Sequence, residues 1–366
     1  MSVDIGIIGL PKSGRTTVFN TLTSSKAHVN SYAREAPHIG IARVADPRLD
    51  KLVELLNPKK RIPSEIRYID IGASVKSMTN DMAIGGEYLS QLSNTDALMN
   101  VARAFTEASV PHIEGSVDVE RDIIAMELEL ACSDLNIIER RLHKIEISLR
   151  STKQEERQQS QHEQNILLKT KSGLEKDIPI REQDLSVDEK KLITGYQFLS
   201  AKPLLTLLNL GEEQISEIKL IEEKFSQRFS KRNHKFIALC SKLELELGEI
   251  DSATAEECRK EFGLTEPGLE RTIKTSFDLM GLITFFTTAS DEIKAWSIPY
   301  GSEATKAAGK IHTDMERGFI RAEVISFNDL VKAGSITEGR KHGQLRLEGK
   351  HYIVQDGDVI NFLFNV

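Results

Sequence analysis

The chain begins with a short apolar segment that runs directly into a glycine-rich turn. Residues 3–8 read V-D-I-G-I-I, and residues 9–16 read G-L-P-K-S-G-R-T. The second segment departs from the phosphate-binding loop G-x-x-x-x-G-K-[ST] at one position, where Arg15 replaces the lysine. A buried strand, a glycine turn and a helix over residues 17–22 would together make an anion site, because backbone N–H groups and the helix dipole face it. This pattern predicts an α/β fold with the loop at the carboxyl end of the first strand.

The loop supplies the first candidate ligand-binding residues. In a loop of this type backbone N–H groups surround the β-phosphate, and Thr16 has the position of the hydroxyl that coordinates Mg²⁺. The candidate nucleotide-binding residues here are Lys12, Ser13, Gly14, Arg15, Thr16 and Thr17. The alternative is a glycine turn that only connects a strand to a helix.

Composition limits the class of protein. The 366 residues indicate two or three domains, and 48 basic against 55 acidic residues give a net charge of −7, which excludes a globally basic nucleic-acid binder. Cys132, Cys240 and Cys258 are widely spaced, which favours reduced thiols over a disulfide or zinc framework. No signal peptide precedes the first strand, and no apolar run reaches about 18 residues. We therefore expect a cytoplasmic protein without a membrane partner.

A charged, helical region follows in the middle of the chain. Apolar residues alternate spacings of four and three over more than three heptads, which predicts a helix that buries a seam on a partner. The seam residues are Ile124, Leu128, Ala131, Leu135, Ile138, Leu142, Ile145 and Leu149. A polar stretch over residues 151–164 predicts a solvated bend, and apolar residues return over 166–178. The pattern predicts an antiparallel coiled-coil arm, with a parallel homodimer zipper as the alternative.

Strand signals return after the arm. Ser186 and Glu189 have capping-box spacing for a helix over about 187–195. Residues 203–208 and 236–239 are apolar runs typical of buried strands. Strands on both sides of the arm predict a parallel sheet that the arm interrupts. The loop at 9–16, Asp70, Asn209 and Ser241 would then all lie at the carboxyl edge of this sheet, where ligands bind.

The last 90 or so residues carry the most specific pattern. The chain reads K-A-W-S-I over 294–298, A-A-G-K-I-H-T-D-M-E-R-G-F-I over 307–320 and L-R-L-E-G-K-H-Y-I-V-Q-D-G-D over 345–358. These segments resemble the YchF or Obg-like ATPases, TRAFAC-class P-loop proteins with a helical insertion and a C-terminal TGS domain. The resemblance implies a nucleotide-binding domain over 1–115 and 186–278, a coiled-coil insertion over 116–185 and a TGS domain over 279–366.

The C-terminal pattern itself also predicts a small β-grasp fold. Strand signals at 282–288 and 294–298 precede a helix near 303–310, and closing strands are expected at 352–354 and 359–364. A strand pair, a helix and further strands make the ubiquitin-like order that the resemblance implies.

The nucleotide domain departs from the family pattern at three positions. Arg15 keeps the charge of the family lysine, but a planar fork is bulkier than a compact ammonium. Arg34 occupies the position of the switch threonine, and Ala73 replaces the glycine of D-x-x-G while Asp70 is retained and can hold the Mg²⁺ water shell. His112 is retained where the family places the histidine that orients the attacking water. A loop histidine without such a role is the alternative.

Base preference is predicted from residues 209–212, N-L-G-E. GTPases use N-K-x-D, in which a short carboxylate accepts two guanine N–H groups. Here Leu210 and Glu212 replace the lysine and the aspartate at these positions, and the longer carboxylate favours adenine. In the family, N-x-x-E accompanies ATP preference. Asn209 is the first residue of this segment. The alternative is that it serves only as a turn residue at the end of a strand. The loop formed by Cys240, Ser241 and Lys242 resembles the one that closes over the base.

The sequence is compatible with two functions and fits a third poorly. The first is an ATP-preferring nucleotide-binding protein that uses Mg²⁺ with ATP or GTP, hydrolyses it slowly and regulates a ribosome-linked partner. The second is an inactive scaffold that binds ribosome or RNA through the arm and TGS domain. A Rossmann dehydrogenase fits poorly, because G-x-G-x-x-G is absent. We expect a monomer without DNA specificity, with an RNA-facing surface at Lys310, His312, Arg317, Arg321, Lys341, His342, Arg346, Lys350 and His351.

Overall fold

The structure is a computed structural model that describes residues 3–23, 37–71, 91–149, 154–229, 233–289 and 291–365. Within these residues the strands form two sheets of six strands each. The first contains β1 Val3–Ile8, β2 His38–Arg43, β4 Glu65–Asp70, β5 Ala97–Arg103, β6 Leu204–Asn209 and β7 His234–Leu239. The second contains β3 Lys60–Ile62, β8 Leu282–Ala289, β9 Glu292–Pro299, β10 Phe319–Ser326, β11 Arg346–Glu348 and β12 Asp358–Phe364.

The helices fall into three groups. Those before residue 280 and outside the arm are α1 Arg15–Thr23, α2 Pro47–Leu56, α5 Val187–Thr194, α6 Ile218–Phe229, α7 Ser241–Leu247, α8 Ser252–Glu261 and α9 Gly268–Leu279. The arm contains α3 Val119–Ser148 and α4 Gln154–Leu174. The C-terminal part contains α10 Ala304–Ile311, α11 Thr313–Arg317, α12 Phe327–Ala333 and α13 Ile336–Lys341. No helix among the described residues is long and apolar enough to span a membrane.

The first sheet has the order β2-β4-β1-β5-β6-β7. Its central strands β5 and β6 are buried along their whole length, as expected for strands covered on both faces. The pairs β1–β5, β5–β6 and β6–β7 are parallel, so the carboxyl ends of these four strands meet at one edge. The predicted α/β fold is confirmed.

The arm is a pair of packed helices, but the predicted seam is wrong in its first half. Ile124 and Leu128 are 55% and 52% exposed, while Ile123, Met126 and Leu130 are buried. Met126 and Leu130 pack with residues of the sheet, whereas the second half of α3 packs on α4. Both faces of α3 are apolar near its start, so heptad spacing alone could not show which one meets the sheet.

The predicted polar bend is wrong over residues 154–164, and residues 150–153 lie outside the described part of the chain. α4 begins at Gln154, so residues 154–164 are helical and not a loop. Gln, Glu and Arg are good helix formers, and a helix that packs on one side only accommodates them on its exposed face. The capping box between Ser186 and Glu189 at the start of α5 is confirmed.

Buried charged residues fix α3 to the chain that follows the arm. Asp134 of α3 is fully buried and accepts hydrogen bonds from the backbone N–H groups of Leu199 and Ser200, each at 2.8 Å. Burial raises the pKa of Asp134 to about 6. The guanidinium of Arg181, on the chain that returns from the arm, lies 2.6 Å from the carboxylate of Glu127 on α3. The arm is therefore held at its base by charge-assisted hydrogen bonds as well as by apolar packing.

The second sheet has the order β11-β10-β12-β8-β9-β3. β8 and β9 form an antiparallel hairpin, β12 lies between β8 and β10, and α10 packs on the sheet through three buried alanines. The closing strand expected at 352–354 is wrong, because only Ile353 forms an isolated bridge, to Glu303. Val354 is fully buried, so this apolar run reflects burial and not strand geometry. β10 was not predicted, and a register shift between Phe319 and Arg321 interrupts its alternation.

Residues 41–66 are part of the same compact unit as the C-terminal sheet, which the sequence did not indicate. Leu49 and Leu52 of α2 are fully buried in a core cluster with residues of β8 and β9, and β3 pairs in parallel with β9. The guanidinium of Arg48 lies 2.7 Å from the carboxylate of Asp356. Contacts thus divide the chain into two units, one of residues 1–3, 41–66 and 273–366 and one of residues 4–40 and 67–272.

Candidate functional site

The turn between β1 and α1 leads directly into the first turn of α1. Ser13 N–H donates to the carbonyl of Leu10 at 3.2 Å, and Val18 N–H donates to that of Gly14 at 2.9 Å. Lys12 and Gly14 have φ angles of +65° and +92°. Gly14 is also required sterically, because an added Cβ atom would overlap the side-chain amide nitrogen of Asn209. This geometry places the N–H groups of the residues after Gly14 at the N-terminus of α1.

A hydroxyl and a carboxylate meet beside this turn. Thr16 Oγ1 donates to Asp70 Oδ2 at 3.0 Å. Asp70 is 2% exposed, and its Oδ1 atom has no hydrogen-bond partner among the described residues. No cluster of three or more His, Cys, Asp or Glu residues occurs in the described ranges. One hydroxyl and one carboxylate with an unpaired oxygen fit Mg²⁺, which keeps several waters and binds substrate phosphates.

Asn209 connects three loops at the carboxyl edge of the sheet. Its side-chain Nδ2 donates to the carbonyl of Ser13 at 3.0 Å, and its Oδ1 accepts from the N–H and the hydroxyl of Ser241 at 3.2 and 2.6 Å. Its backbone carbonyl accepts from the N–H groups of Ala104 and Phe105 at 2.9 and 3.1 Å. The sequence predicted that these strand ends lie together, but it did not indicate that one asparagine joins them.

Phe105 is a site residue that the sequence reasoning missed. One atom of its ring lies 3.7 Å from the position that a Cβ atom on Gly14 would have. The guanidinium carbon of Arg103 lies 4.4 Å from the centre of the same ring. The available signal was an aromatic residue two positions after the buried run that forms β5. An aromatic ring beside the turn and Asn209 offers an apolar face to a planar ligand.

The remaining residues of the predicted base site have different environments. Lys242 Nζ lies 2.8 Å from Glu212 Oε1 in an exposed ion pair. Leu210 and Cys240 are 2% and 3% exposed and belong to a core cluster. Burial raises the pKa of the Cys240 thiol. Glu212 and Lys242 are therefore available at the surface, while Ser241 is buried and bonded to Asn209, and the side chain of Leu210 faces the core.

His112 is buried with both ring nitrogens engaged. Its Nε2 lies 2.8 Å from Asp122 Oδ2, and its Nδ1 accepts the N–H of Glu114 at 3.1 Å. In the neutral ring this places the proton on Nε2. Asp122 also receives two bonds from Arg121, and its side chain is 4% exposed. This arrangement fixes the loop to the start of α3 and leaves no ring nitrogen of His112 unpaired.

Arg15 points along the site toward the end of β4. Its NH1 donates to the carbonyl of Ile71 at 3.4 Å. Thr17 is partly buried on the first turn of α1. Arg34 and Ala73, the two other departures from the family pattern, lie outside the described residues.

Most of the predicted cationic surface is neutralised by carboxylates within the C-terminal unit. Lys341 and His351 each pair with a glutamate, and Arg346 lies 3.0 Å from Glu348. Arg317, Arg321 and Lys350 are exposed, and no ion pair to them occurs among the described residues. The cationic surface that remains is therefore smaller than the sequence indicated.

Known proteins with similar sequences identify the family of this chain. A family model for the C-terminal part of YchF GTPases, described as "Protein of unknown function (DUF933)", matches residues 282–365. The Ribosome-binding ATPase YchF of Bacillus subtilis (strain 168) is 36% identical over 370 residues, with 100% of each chain covered. The chain belongs to the YchF family. The protein of the same name from Escherichia coli O157:H7 is 35% identical over 368 residues, again with 100% of each chain covered.

A solved structure of a YchF protein has the same fold. The structure of the Schizosaccharomyces pombe YchF GTPase matches this chain with a TM-score of 0.85 and 29% identity, over 99% of this chain and 98% of that one. The family resemblance and the fold class inferred from the sequence are confirmed. The YchF relatives are named ATPases and the solved YchF structure is named a GTPase, so these names leave the base preference of this chain to be argued from its residues.

Proposed function

We propose that this YchF-family chain binds Mg²⁺ with ATP in preference to GTP, hydrolyses it slowly and acts in the cytoplasm as a ribosome- or RNA-associated regulator. The observation that carries the proposal is the pair formed by Thr16 and Asp70 beside the glycine turn. A buried carboxylate oxygen without a partner is unfavourable in the free protein, and a hydrated cation would satisfy it.

The site has residues suited to the phosphates, to Mg²⁺ and to the base of a nucleotide. The backbone N–H groups of residues 12–16 suit the phosphates, apart from that of Ser13, which already donates to Leu10. Thr16 with Asp70 would hold Mg²⁺, which neutralises phosphate charge when bound. The Phe105 ring suits the base, and Asn209 would hold the loop of residues 240–242 beside it through its bonds to Ser241. Lys12 is exposed at the mouth of the turn.

The preference for adenine rests on Glu212. Guanine recognition needs a carboxylate that accepts two N–H donors, and this carboxylate is already paired with Lys242. Adenine does not require that acceptor. Leu210 cannot be exchanged for lysine as a simple test, because the new charge would enter a core cluster.

Competition between nucleotides tests the base preference. We expect ATP to displace a fluorescent nucleotide at lower concentration than GTP does. Glu212→Asp should move the ratio of the two affinities toward GTP by about tenfold, since a hydrogen bond to a charged acceptor is at stake. Glu213→Asp, one position further on, is the matched control and should leave the ratio unchanged. Tighter binding of GTP than of ATP by the unmodified chain would sink this part of the proposal.

Slow hydrolysis follows from Arg15 and His112. Arginine at the lysine position changes the contact to the phosphates, and His112 must exchange its bond to Asp122 before it can orient a water. The engaged histidine also favours the second candidate function, an inactive scaffold that retains nucleotide binding. Release of phosphate from ATP in single-turnover assays distinguishes the two.

Association with the ribosome is supported by the names of the relatives and by three cations of the predicted surface to which no ion pair occurs among the described residues. The Bacillus subtilis and Escherichia coli proteins are named ribosome-binding ATPases. Arg317, Arg321 and Lys350 are the candidate phosphate contacts, since the other cations of the predicted surface have protein partners.

Ribosome co-sedimentation should weaken as salt rises. Each phosphate contact contributes roughly 0.7 to 0.9 to the slope of log affinity against log salt concentration. Neutralising Arg317, Arg321 and Lys350 together should therefore reduce the magnitude of this slope by about two or more. Lys341→Gln, which removes a cation already paired with Glu338, is the control and should change little. The assignment of this surface is refuted if the triple variant sediments like the unmodified chain at every salt concentration.

A further inference from the structure

Arg103 is a buried arginine at the carboxyl end of β5, in register with Asn209 of β6. The residue is 2% exposed. Its Nε donates to the carbonyl of Phe105 at 3.2 Å, and its NH2 donates to the carbonyl of Val110 at 2.7 Å. The guanidinium carbon also lies over the Phe105 ring, 4.4 Å from its centre. One side chain therefore holds both ends of the turn over residues 105–110 and the ring at its start.

The fold alone does not account for an arginine at this position. Its NH1 atom is buried without a hydrogen-bond partner among the described residues, and burial lowers the pKa of the guanidinium. An unpaired buried N–H is destabilising, and charged residues are rarely this buried. What arginine provides here is a planar fork that reaches two carbonyls and stacks on a ring in one geometry.

The ring that Arg103 holds is the one beside the phosphate-binding turn. The N–H of Phe105 donates to the carbonyl of Asn209, and the side chain of Asn209 bonds to Ser13 of the turn. The backbone of Phe105 is thus fixed through Asn209, but the direction of its ring depends on the guanidinium above it. A ring that is free to rotate would lose stacking with a bound base.

We propose that Arg103 is a positioning residue that holds the Phe105 ring beside the turn and thereby sets the affinity for the base half of the nucleotide. This inference rests on the proposed nucleotide-binding function. It gives no role to Arg103 in the contact with phosphates, so the two halves of the ligand should respond differently to its replacement.

Titration of ATP and of inorganic tripolyphosphate separates the two halves. Arg103→Lys keeps the charge but removes the fork and the plane. We expect the Kd for ATP to rise roughly tenfold, as for the loss of one stacked base, while the Kd for tripolyphosphate changes less than about twofold. In a Phe105→Ala background the same change should have no further effect on ATP. An equal loss for both ligands, or no loss for ATP, would overturn the inference.

A matched control and a ligand-free measurement complete the test. Arg141→Lys also removes a forked arginine, one that binds Glu163 on the arm, and should leave both affinities unchanged. The indole introduced by Phe105→Trp, with Trp296→Phe to remove the native signal, should become more accessible to acrylamide when Arg103→Lys is added. Unchanged quenching contradicts the positioning role. If the unmodified chain binds no nucleotide, the proposed function fails, and quenching still decides the role of Arg103.

Discussion

Gly14→Ala is expected to reduce ATP affinity by about 100-fold, or about 2.7 kcal/mol. Gly14 has a φ of +92°, and an added methyl group would overlap the amide nitrogen of Asn209. The turn, Phe105 and Ser241 all depend on that asparagine, so displacing it disturbs the phosphate and base sites together. Titration calorimetry of ATP into the two proteins measures the loss directly.

Gly263→Ala separates the effect of contact from that of backbone conformation. Gly263 has a φ of +72°, but an added Cβ atom would have no neighbour within 4 Å. Both substitutions should lower stability by about 1 kcal/mol for the left-handed backbone, and only Gly14→Ala should lose binding. Equal ATP affinities for the unmodified chain and Gly14→Ala would show that the turn does not hold the nucleotide.

Arg15→Lys is expected to tighten Mg·ATP binding about tenfold and to raise turnover, because a compact ammonium fits between phosphates where a planar guanidinium does not. The unmodified chain should turn over well below the ~1 s⁻¹ low end of typical enzymes. Phosphate release under single-turnover conditions measures the rate, and calorimetry measures the affinity.

Arg15→Gln is the comparison that isolates charge from shape. It should bind ATP more weakly than the unmodified chain, since the cation is lost altogether. If the Arg15→Lys variant binds ATP more weakly than the unmodified chain, the arginine is itself adapted to bind the phosphates. Its bond to the carbonyl of Ile71 is then part of the site.

The strands around the site could be predicted because short apolar runs and the turns after them are local signals. The strands predicted at residues 3–8, 203–208 and 236–239 are found at 3–8, 204–209 and 234–239, within one sheet. The face of α3 could not be predicted, because Ile123 and Ile124 are equally apolar and only the sheet decides which is buried. The place of residues 41–66 beside the C-terminal sheet depends on long-range pairing, which leaves no local signal.

The site was predicted where a motif carries its geometry and missed where geometry arises between strands. Thr16 and Asp70 follow from motif positions and do meet in the structure. Asn209 links three loops because of the order of the strands, which the sequence does not give. The hydrogen bond between His112 and Asp122 depends on where α3 begins. Phe105 belongs to no sequence motif. It is part of the site because its ring lies beside Arg103 and beside the turn.

Calorimetric titration of ATP into the unmodified chain, with and without Mg²⁺ and alongside Asp70→Asn, tests the central claim most directly. The account predicts saturable ATP binding that Mg²⁺ tightens, and a gain from Mg²⁺ that is lost in Asp70→Asn while binding of ATP alone persists. Absence of ATP binding under both conditions, or a gain from Mg²⁺ that Asp70→Asn leaves intact, would contradict it.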